Sequence, residues 1–490
     1  MLSNVKTTYF ESSLSSYEIY RAVEKGDDYI LLDSSKKDSK YSRFSIMGAN
    51  PFLSVKYENG IVFEKDYRLG EKEWREVEVD SIFNHLNRLL KKHKVKNGTD
   101  LPFVGGGLGY FGYELSKELE NIPESAESIV DVPDCYFVFY DNAVLHDIRS
   151  NMVHITALGI LQDENESMLE LENRIWEYSP GRSLPVWNET EKPVFSSPFS
   201  RSEYMEAVES MRKYIEDGHI YIANMTHTFT SFYDRSPEDT YERLRHINSA
   251  PFSAYMPLDG FHILSSSPER FLEIRNKKVQ TRPIKGTIPR GRNPEEDEEN
   301  RIKLKNSEKD KSELLMIVDL ERNDLSRVCV PGTVKVTELF ELEEYATVFH
   351  LVSTVEGMLK DDCSSVDCIE AAFPGGSITG APKIRAMEII EELEKTSRNI
   401  YTGSIGYLGF DGNADFNIII RTVLLKDERA YIGVGGGITW ESDPEMEYVE
   451  TLDKARALFK ALDADYVEDR CKSDQSLYKA HGGRCSCGNQ

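Results

Sequence analysis

The chain has 490 residues, with 59 Lys and Arg against 84 Asp and Glu, a net charge of -25 and an isoelectric point near 5.0. Such acidity excludes nucleic acid and anionic membrane surfaces as partners, and no run approaches the roughly 18 apolar residues of a membrane span. With 40% hydrophobic residues the chain can bury a sizeable core, in roughly two to three average domains or one large domain plus a smaller one.

Met1 to Lys6 carries no apolar signal core, so a cytoplasmic protein is expected. Seven scattered cysteines suit a reducing compartment better than a disulfide framework. An anionic substrate entering so negative a chain needs local cations, whether Arg, Lys or a metal. In chain order, Tyr29 to Leu32 and Cys135 to Tyr140 read as strands. The glycine cluster Gly105 to Tyr110 between them lacks dinucleotide-binding spacing, and close backbone packing accounts for it. Pro180, Pro185, Pro193 and Pro198 mark a linker. Ser202 then caps a predicted helix with Tyr204, Val208, Met211 and Ile215 at helical spacing, stopped by Gly218. Strands are predicted at Ile220 to Asn224, Phe261 to Leu264 and Ile418 to Leu425, and a helix from about Ser307 to Leu320. Mixed elements to about residue 465 predict one large α/β or α+β unit. The domains expected are 1–195, with the linker, and 196–466, followed by a polar, disordered tail over 467–490. Cys471, His481, Cys485 and Cys487 in that tail are zinc-ligand types, but their spacing matches no standard structural site.

The chemistry gathers after residue 260. Lys285 lies in Arg282-Pro283-Ile284-Lys285-Gly286-Thr287, hemmed in by Pro283 and Gly286, where desolvation would free its amine as a nucleophile. Glu269 follows a strand and a proline turn in Ser266-Ser267-Pro268-Glu269-Arg270-Phe271. A carboxyl of raised pKa there can protonate a departing hydroxide. Asp443 and Pro444 start a helix cleanly, and Glu447, Glu450 and Lys454 share one of its faces. Alone this is an ordinary solvated helix with an ion pair; with Glu313 it becomes a hard-oxygen set suited to Mg²⁺. Phe373-Pro374-Gly375-Gly376-Ser377-Ile378-Thr379-Gly380-Ala381-Pro382-Lys383 offers backbone amides to an anion. It runs into a helix with Pro382 in its first turn and Met387, Ile390 and Leu393 inward. It is no P-loop, which disfavours nucleotides. Arg421 is placed in a strand, where it can clamp a carboxylate, and Gly435 to Gly437 allow a second close backbone approach.

Together these segments closely resemble the chorismate-utilising enzymes, over about residues 200 to 465, and within them the aminodeoxychorismate synthase component I branch. The resemblance implies an α/β (α+β) fold, a large two-sheet sandwich flanked by helices, with 196–466 as the chorismate-binding catalytic domain. It implies Lys285 as the nucleophile, where anthranilate synthases usually carry alanine, and Glu269 as the acid/base. Substrate contacts map onto Gly286, Thr287, His350, Ser377, Tyr401, Arg421, Gly435, Gly437 and Lys454. His350, in the apolar Phe349 to Ser353 run, is a catalytic candidate, with a core histidine as the other reading. Metal ligands map onto Glu313 and Glu450, with Glu447 beside them.

The N-terminal half matches more loosely. Leu31-Leu32-Asp33-Ser34 resembles the family's Leu-Leu-Glu-Ser, and Pro251-Phe252-Ser253 its Pro-Tyr-Met. Ser34 and Pro251 are therefore candidates for a regulatory amino-acid pocket, with inhibition by tryptophan left open by the changed residues. Tyr221-Ile222-Ala223-Asn224 lacks the water-activating lysine of isochorismate and salicylate synthases, which favours ammonia as nucleophile. None of the seven cysteines sits in a Gly-x-Cys-x-Gly elbow. Ammonia is thus expected from a separate glutamine amidotransferase subunit, as the resemblance also implies. The activity expected is conversion of chorismate and ammonia to 4-amino-4-deoxychorismate. Anthranilate synthase is the rival, with isochorismate or salicylate synthesis or a non-catalytic subunit behind it.

Overall fold

The computed structural model describes residues 3–36, 39–70, 73–180, 184, 187, 192–344 and 348–467. The expected tail from residue 468 onward, with its Cys and His residues, lies outside them.

Antiparallel pairing dominates. The 15-residue strand Phe44–Glu58 pairs along its length with Cys135–Asp147, and near its start with Leu31–Asp33. From Cys135–Asp147 one sheet runs through Gly106–Phe111, Ser404–Gly409, Ala414–Asn417, Arg270–Arg275 and Lys278–Arg282 to Val348–Met358. From Leu31–Asp33 another runs through Phe252–Leu258, Phe261–Ser267, Thr422–Lys426 and Arg429–Ile438 to Ile222–Phe232. Strands from either side of residue 195 are therefore joined within both sheets.

Side-chain alternation along these strands builds two apolar layers. In Phe252–Leu258, Ala254, Met256 and Leu258 join the core shared with Phe137, Phe139, Leu108 and Leu408 of the first sheet. Tyr255, between them, faces a second core with Leu264, Val423, Ile432 and Phe229. That outer layer is closed by the helices Ser16–Val23, Glu164–Glu177, Pro237–Ile247 and Pro444–Leu462, through Ile19, Leu171, Leu244 and Leu458. Two sheets facing one core, flanked by helices, is the expected sandwich. All 13 residues of Cys135–Asp147 are buried, which explains a nearly continuous apolar run.

The glycine cluster is close packing. A Cβ at Gly106 would lie 2.1 Å from the Leu408 carbonyl oxygen, and one at Gly109 would lie 2.2 Å from that of Tyr136.

Several predicted boundaries move. The helix Arg201–Glu216 is capped by Ser200, not Ser202: Ser200 Oγ accepts from Glu203 N, and Ser200 N donates to Glu203 Oε2 at 2.9 Å. This capping box outcompetes a serine two residues later. The helix predicted to about Leu320 runs Glu308–Val328, because its buried side, with Glu313, Ile317, Glu321 and Leu325, continues past that point. Residues 418–421 are not strand; Thr422 starts the strand, and Arg421 has φ +53°. Pro382 is the N-cap of Lys383–Leu393 rather than a member of its first turn. Among the described residues no helix is long and apolar enough to cross a membrane.

Candidate functional site

Lys285 lies on the edge of the strand Ile284–Pro289, and a β-bulge aims it. Lys285 pairs with Leu351 and Thr287 with His350, so Gly286 is skipped. Gly286 has φ +73°, and a Cβ there would lie 2.8 Å from Leu304 Cδ1, so both conformation and space require glycine. Lys285 Nζ donates to the Ser377 carbonyl oxygen at 3.0 Å. Ser377 belongs to the buried one-turn helix Gly376–Ile378.

Glu269 sits in the turn between Phe261–Ser267 and Arg270–Arg275, as its motif predicts. Its carbonyl accepts from Ile418 N at 3.0 Å, and Ser267 Oγ donates to the Ile418 carbonyl at 2.6 Å, which pins the turn. Burial raises the pKa of the Glu269 carboxyl, opposed by a hydrogen bond from the Ser377 side chain and the charge of Lys285. The buried Glu269 carboxyl and the Lys285 amine thus share Ser377 as a partner.

Three carboxylates approach the other side of the cleft from two helices. Glu313 comes from Glu308–Val328, whose N-cap is Ser307; Glu447 and Glu450 come from Pro444–Leu462, whose N-cap is Asp443. Between them runs the bare backbone of Gly436 and Gly437. A Cβ at Gly436 would be 3.1 Å from Glu447 Oε2 and 3.7 Å from Glu450 Oε1; one at Gly437 would be 3.5 Å from Lys285 Nζ and 3.9 Å from Glu313 Oε2. Lys454 Nζ bridges Glu450 Oε1 and the Gly435 carbonyl, both at 2.7 Å. Ser442 Oγ donates to Glu447 Oε1 at 2.6 Å. Burial raises the pKa of Glu313 and of Glu447. Burial also acts on Glu450, but the Lys454 charge and hydrogen bond prevail and lower it.

Among the described residues no three His, Cys, Asp or Glu side chains already converge as metal ligands. The donors fit Mg²⁺ all the same: hard oxygens on two helices, a half-exposed Glu450, and a side-chain-free glycine floor that leaves room for water and substrate oxygens.

The remaining candidates are Thr287 with His350, Tyr401, Arg421 and Gly435. Thr287 Oγ1 and His350 Nδ1 are 2.8 Å apart, and burial draws His350 down to about 4, so its ring is neutral near pH 7. Tyr401 packs beneath Gly433, where a Cβ would lie 2.2 Å from its ring. Arg421 has a left-handed backbone, and its Nη1 donates to the carbonyl of Lys454, the residue that pairs with Glu450. At Gly435 a Cβ would strike the Met225 carbonyl at 2.4 Å, so sheet packing by itself demands that glycine.

The glycine segment is braced rather than loose. Lys383 Nζ donates to the Ala372 and Pro374 carbonyls at 2.8 and 2.9 Å and pairs with Asp324 at 2.7 Å. Arg398, which sequence reasoning missed, ties its far end: it pairs with Glu394 and donates to the Ile378 and Asn224 carbonyls. Lys309 was missed as well, although it stands four residues before Glu313 on the same helix and helical spacing alone marks it.

Ser34 and Pro251 line a separate cavity of about 330 Å³, with Tyr41, Phe252, Arg270 and Asp415 among its walls. The backbone N–H and the hydroxyl of Ser34 are already used, N donating to Ser45 Oγ at 3.0 Å and Oγ donating to the Phe44 carbonyl at 2.8 Å.

The cleft of the sandwich thus gathers Lys285, the buried Glu269 carboxyl and the carboxylates Glu313, Glu447 and Glu450. Residues 27–460 match the model of the chorismate binding enzyme family, and the chain belongs to that family. It is 41% identical over 436 residues to aminodeoxychorismate synthase component 1 of Escherichia coli strain K12, covering 89% of this chain and 93% of that protein. It is 36% identical over 460 residues to anthranilate synthase component 1 of Acetivibrio thermocellus, covering 91% and 92%. The crystal structure of anthranilate synthase component I from Streptococcus pneumoniae TIGR4 superposes with a TM-score of 0.76 at 30% identity, covering 91% of this chain and 97% of that one.

Proposed function

We propose that the chain is the aminating component of an aminodeoxychorismate synthase, converting chorismate and ammonia to 4-amino-4-deoxychorismate for p-aminobenzoate and folate synthesis. The observation that carries this reading over anthranilate synthesis is the placement of Lys285 Nζ against Ser377 and the Gly437 backbone, on the same side as Glu269.

In this reading Lys285 attacks ring carbon C2 while Glu269 gives its proton to the departing 4-hydroxyl. Ammonia then adds at C4 and expels Lys285, so one substitution becomes two allylic ones. Arg421 and the glycine amides take the enolpyruvyl carboxylate. Glu313 and Glu450 would hold Mg²⁺ with Glu447 beside them, and the ion when bound supplies positive charge for the ring carboxylate. Neutral His350, with Thr287 and Tyr401, lines the ring. The cavity at Ser34 and Pro251 is assigned to a small amino acid.

Ammonia comes from a separate glutamine amidotransferase subunit, in keeping with the "component 1" names of the relatives. The described cysteines are free thiols, Cys135, Cys329 and Cys368 buried and Cys363 partly so, which supports a reducing, cytoplasmic compartment. The test is incubation with chorismate, an ammonium salt and Mg²⁺, with products separated by chromatography. A product that retains its enolpyruvyl group upholds the reading; anthranilate with released pyruvate replaces it.

A further inference from the structure

One lysine at the carboxylate cleft has no part in the scheme above. Lys309 is the second residue of the helix Glu308–Val328, one turn before Glu313. Its Nζ lies 3.9 Å from Glu313 Oε1 and 4.0 Å from Glu447 Oε1, reaching both helices at once. Its side chain is 43% exposed, against 11% for Glu313 and 6% for Glu447, so the ammonium stands at the mouth and the carboxylates lie inside.

We propose that Lys309 is the resident counter-cation of this cleft, holding Glu313 and Glu447 together until a divalent cation displaces it, and so setting how much of that cation the protein needs. The inference rests on the metal reading given above. Three features support displacement over permanent pairing. Both contacts are longer than hydrogen bonds, so no fixed geometry is lost when the ammonium leaves. A flexible four-carbon stem at the solvent edge lets the charged head swing into water at little cost. An ammonium within 4 Å of two oxygens repels any dication bound to those oxygens, so the two occupants exclude each other. By mass action a competing internal cation weakens the apparent metal affinity. Lys454 differs: its two contacts are both 2.7 Å, to Glu450 and the Gly435 carbonyl, and it braces one helix against the floor.

The test is calorimetric titration of the purified full chain with MgCl₂ alone, without substrate, for wild type and for Lys309→Met, Lys309→Gln and Lys309→Arg. Removing the charge is expected to tighten Mg²⁺ binding about threefold to tenfold in both neutral variants, and to leave Lys309→Arg near wild type. Thermal melting in EDTA should show a lower Tm for the neutral variants, with the deficit closing as Mg²⁺ is added. Unchanged or weaker Mg²⁺ binding in Lys309→Met and Lys309→Gln, with wild type still binding the ion, overturns the proposal alone. No Mg²⁺ binding in any of the four proteins overturns the metal reading and the proposal with it.

Discussion

Ser377 holds Lys285 and Glu269 at once: its carbonyl oxygen accepts from Lys285 Nζ at 3.0 Å while its side chain hydrogen-bonds the Glu269 carboxyl. The proposed nucleophile and the proposed proton donor are thereby tied to a single residue of a buried turn. That turn is in turn fixed by Lys383 and Arg398, through carbonyls on either side of it. Rigid support of this kind keeps reacting groups in register without help from substrate.

Lys285→Ala should remove the covalent route and lower the amination rate by at least about 10²-fold, with Mg²⁺ binding retained. Intact-mass spectra during turnover should show a chorismate-derived adduct on wild type only. A wild-type rate in the alanine variant would rule out the nucleophile.

Glu269→Gln should cost roughly 10²- to 10⁴-fold in kcat, because the amide cannot release a proton to the leaving hydroxyl. The fold should survive, since the Glu269 carbonyl, which anchors the turn to Ile418, is untouched. Rate measurements beside circular dichroism separate the two effects.

Glu450→Gln should weaken Mg²⁺ binding by replacing a charged hard ligand with a neutral amide, and added Mg²⁺ should recover part of the rate. Activity unchanged at limiting Mg²⁺ would reduce Glu450 to a partner of Lys454.

The purified chain should use ammonium salts and not glutamine, with a rate that rises with pH as the NH₃ fraction grows. Adding an amidotransferase subunit should confer glutamine use and flatten that profile. Glutamine-dependent amination by the single chain would refute the partner requirement.

Acid stability should be limited in part by His227, whose ring nitrogens face Ser197 Oγ at 3.1 Å and Thr451 Oγ1 at 3.0 Å. Burial draws its pKa from 6.5 to about 3. Above pH 6.5 neither state binds a proton there, so the contribution is full. Between 6.5 and 3 only the unfolded chain binds one, and stability falls with pH by up to about 1.4 kcal/mol per unit from this group. Urea melts of His227→Gln between pH 7 and 4 should show a shallower fall than wild type, from a lower starting stability.

What the sequence determined by itself was the inventory and order of chemical groups. Ser-Pro-Glu, the lysine before Gly286, and acidic residues at helical spacing after Asp443 are local patterns, and local geometry follows from them: Asp443 caps with Pro444 first, and Glu450 pairs with Lys454 one turn on. The residue pattern by itself gave a mixed α and β unit, and the two-sheet sandwich was legible only through the family resemblance. The cap at Ser200 was misread because two serines compete and only the reciprocal bond to Glu203 decides between them.

Only the tertiary structure decided which groups meet. Nothing local sets Lys285 against Ser377, 92 positions away, or brings Glu313 and Glu447 to one lysine. The left-handed backbone of Arg421 was equally hidden, because an apolar run ahead of it reads as continuous strand. Its φ belongs to a break where Ile418 turns to bond Glu269 before the ladder resumes at Thr422. Contacts of this kind depend on sheet pairing over long separations, and neither spacing nor propensity encodes that pairing.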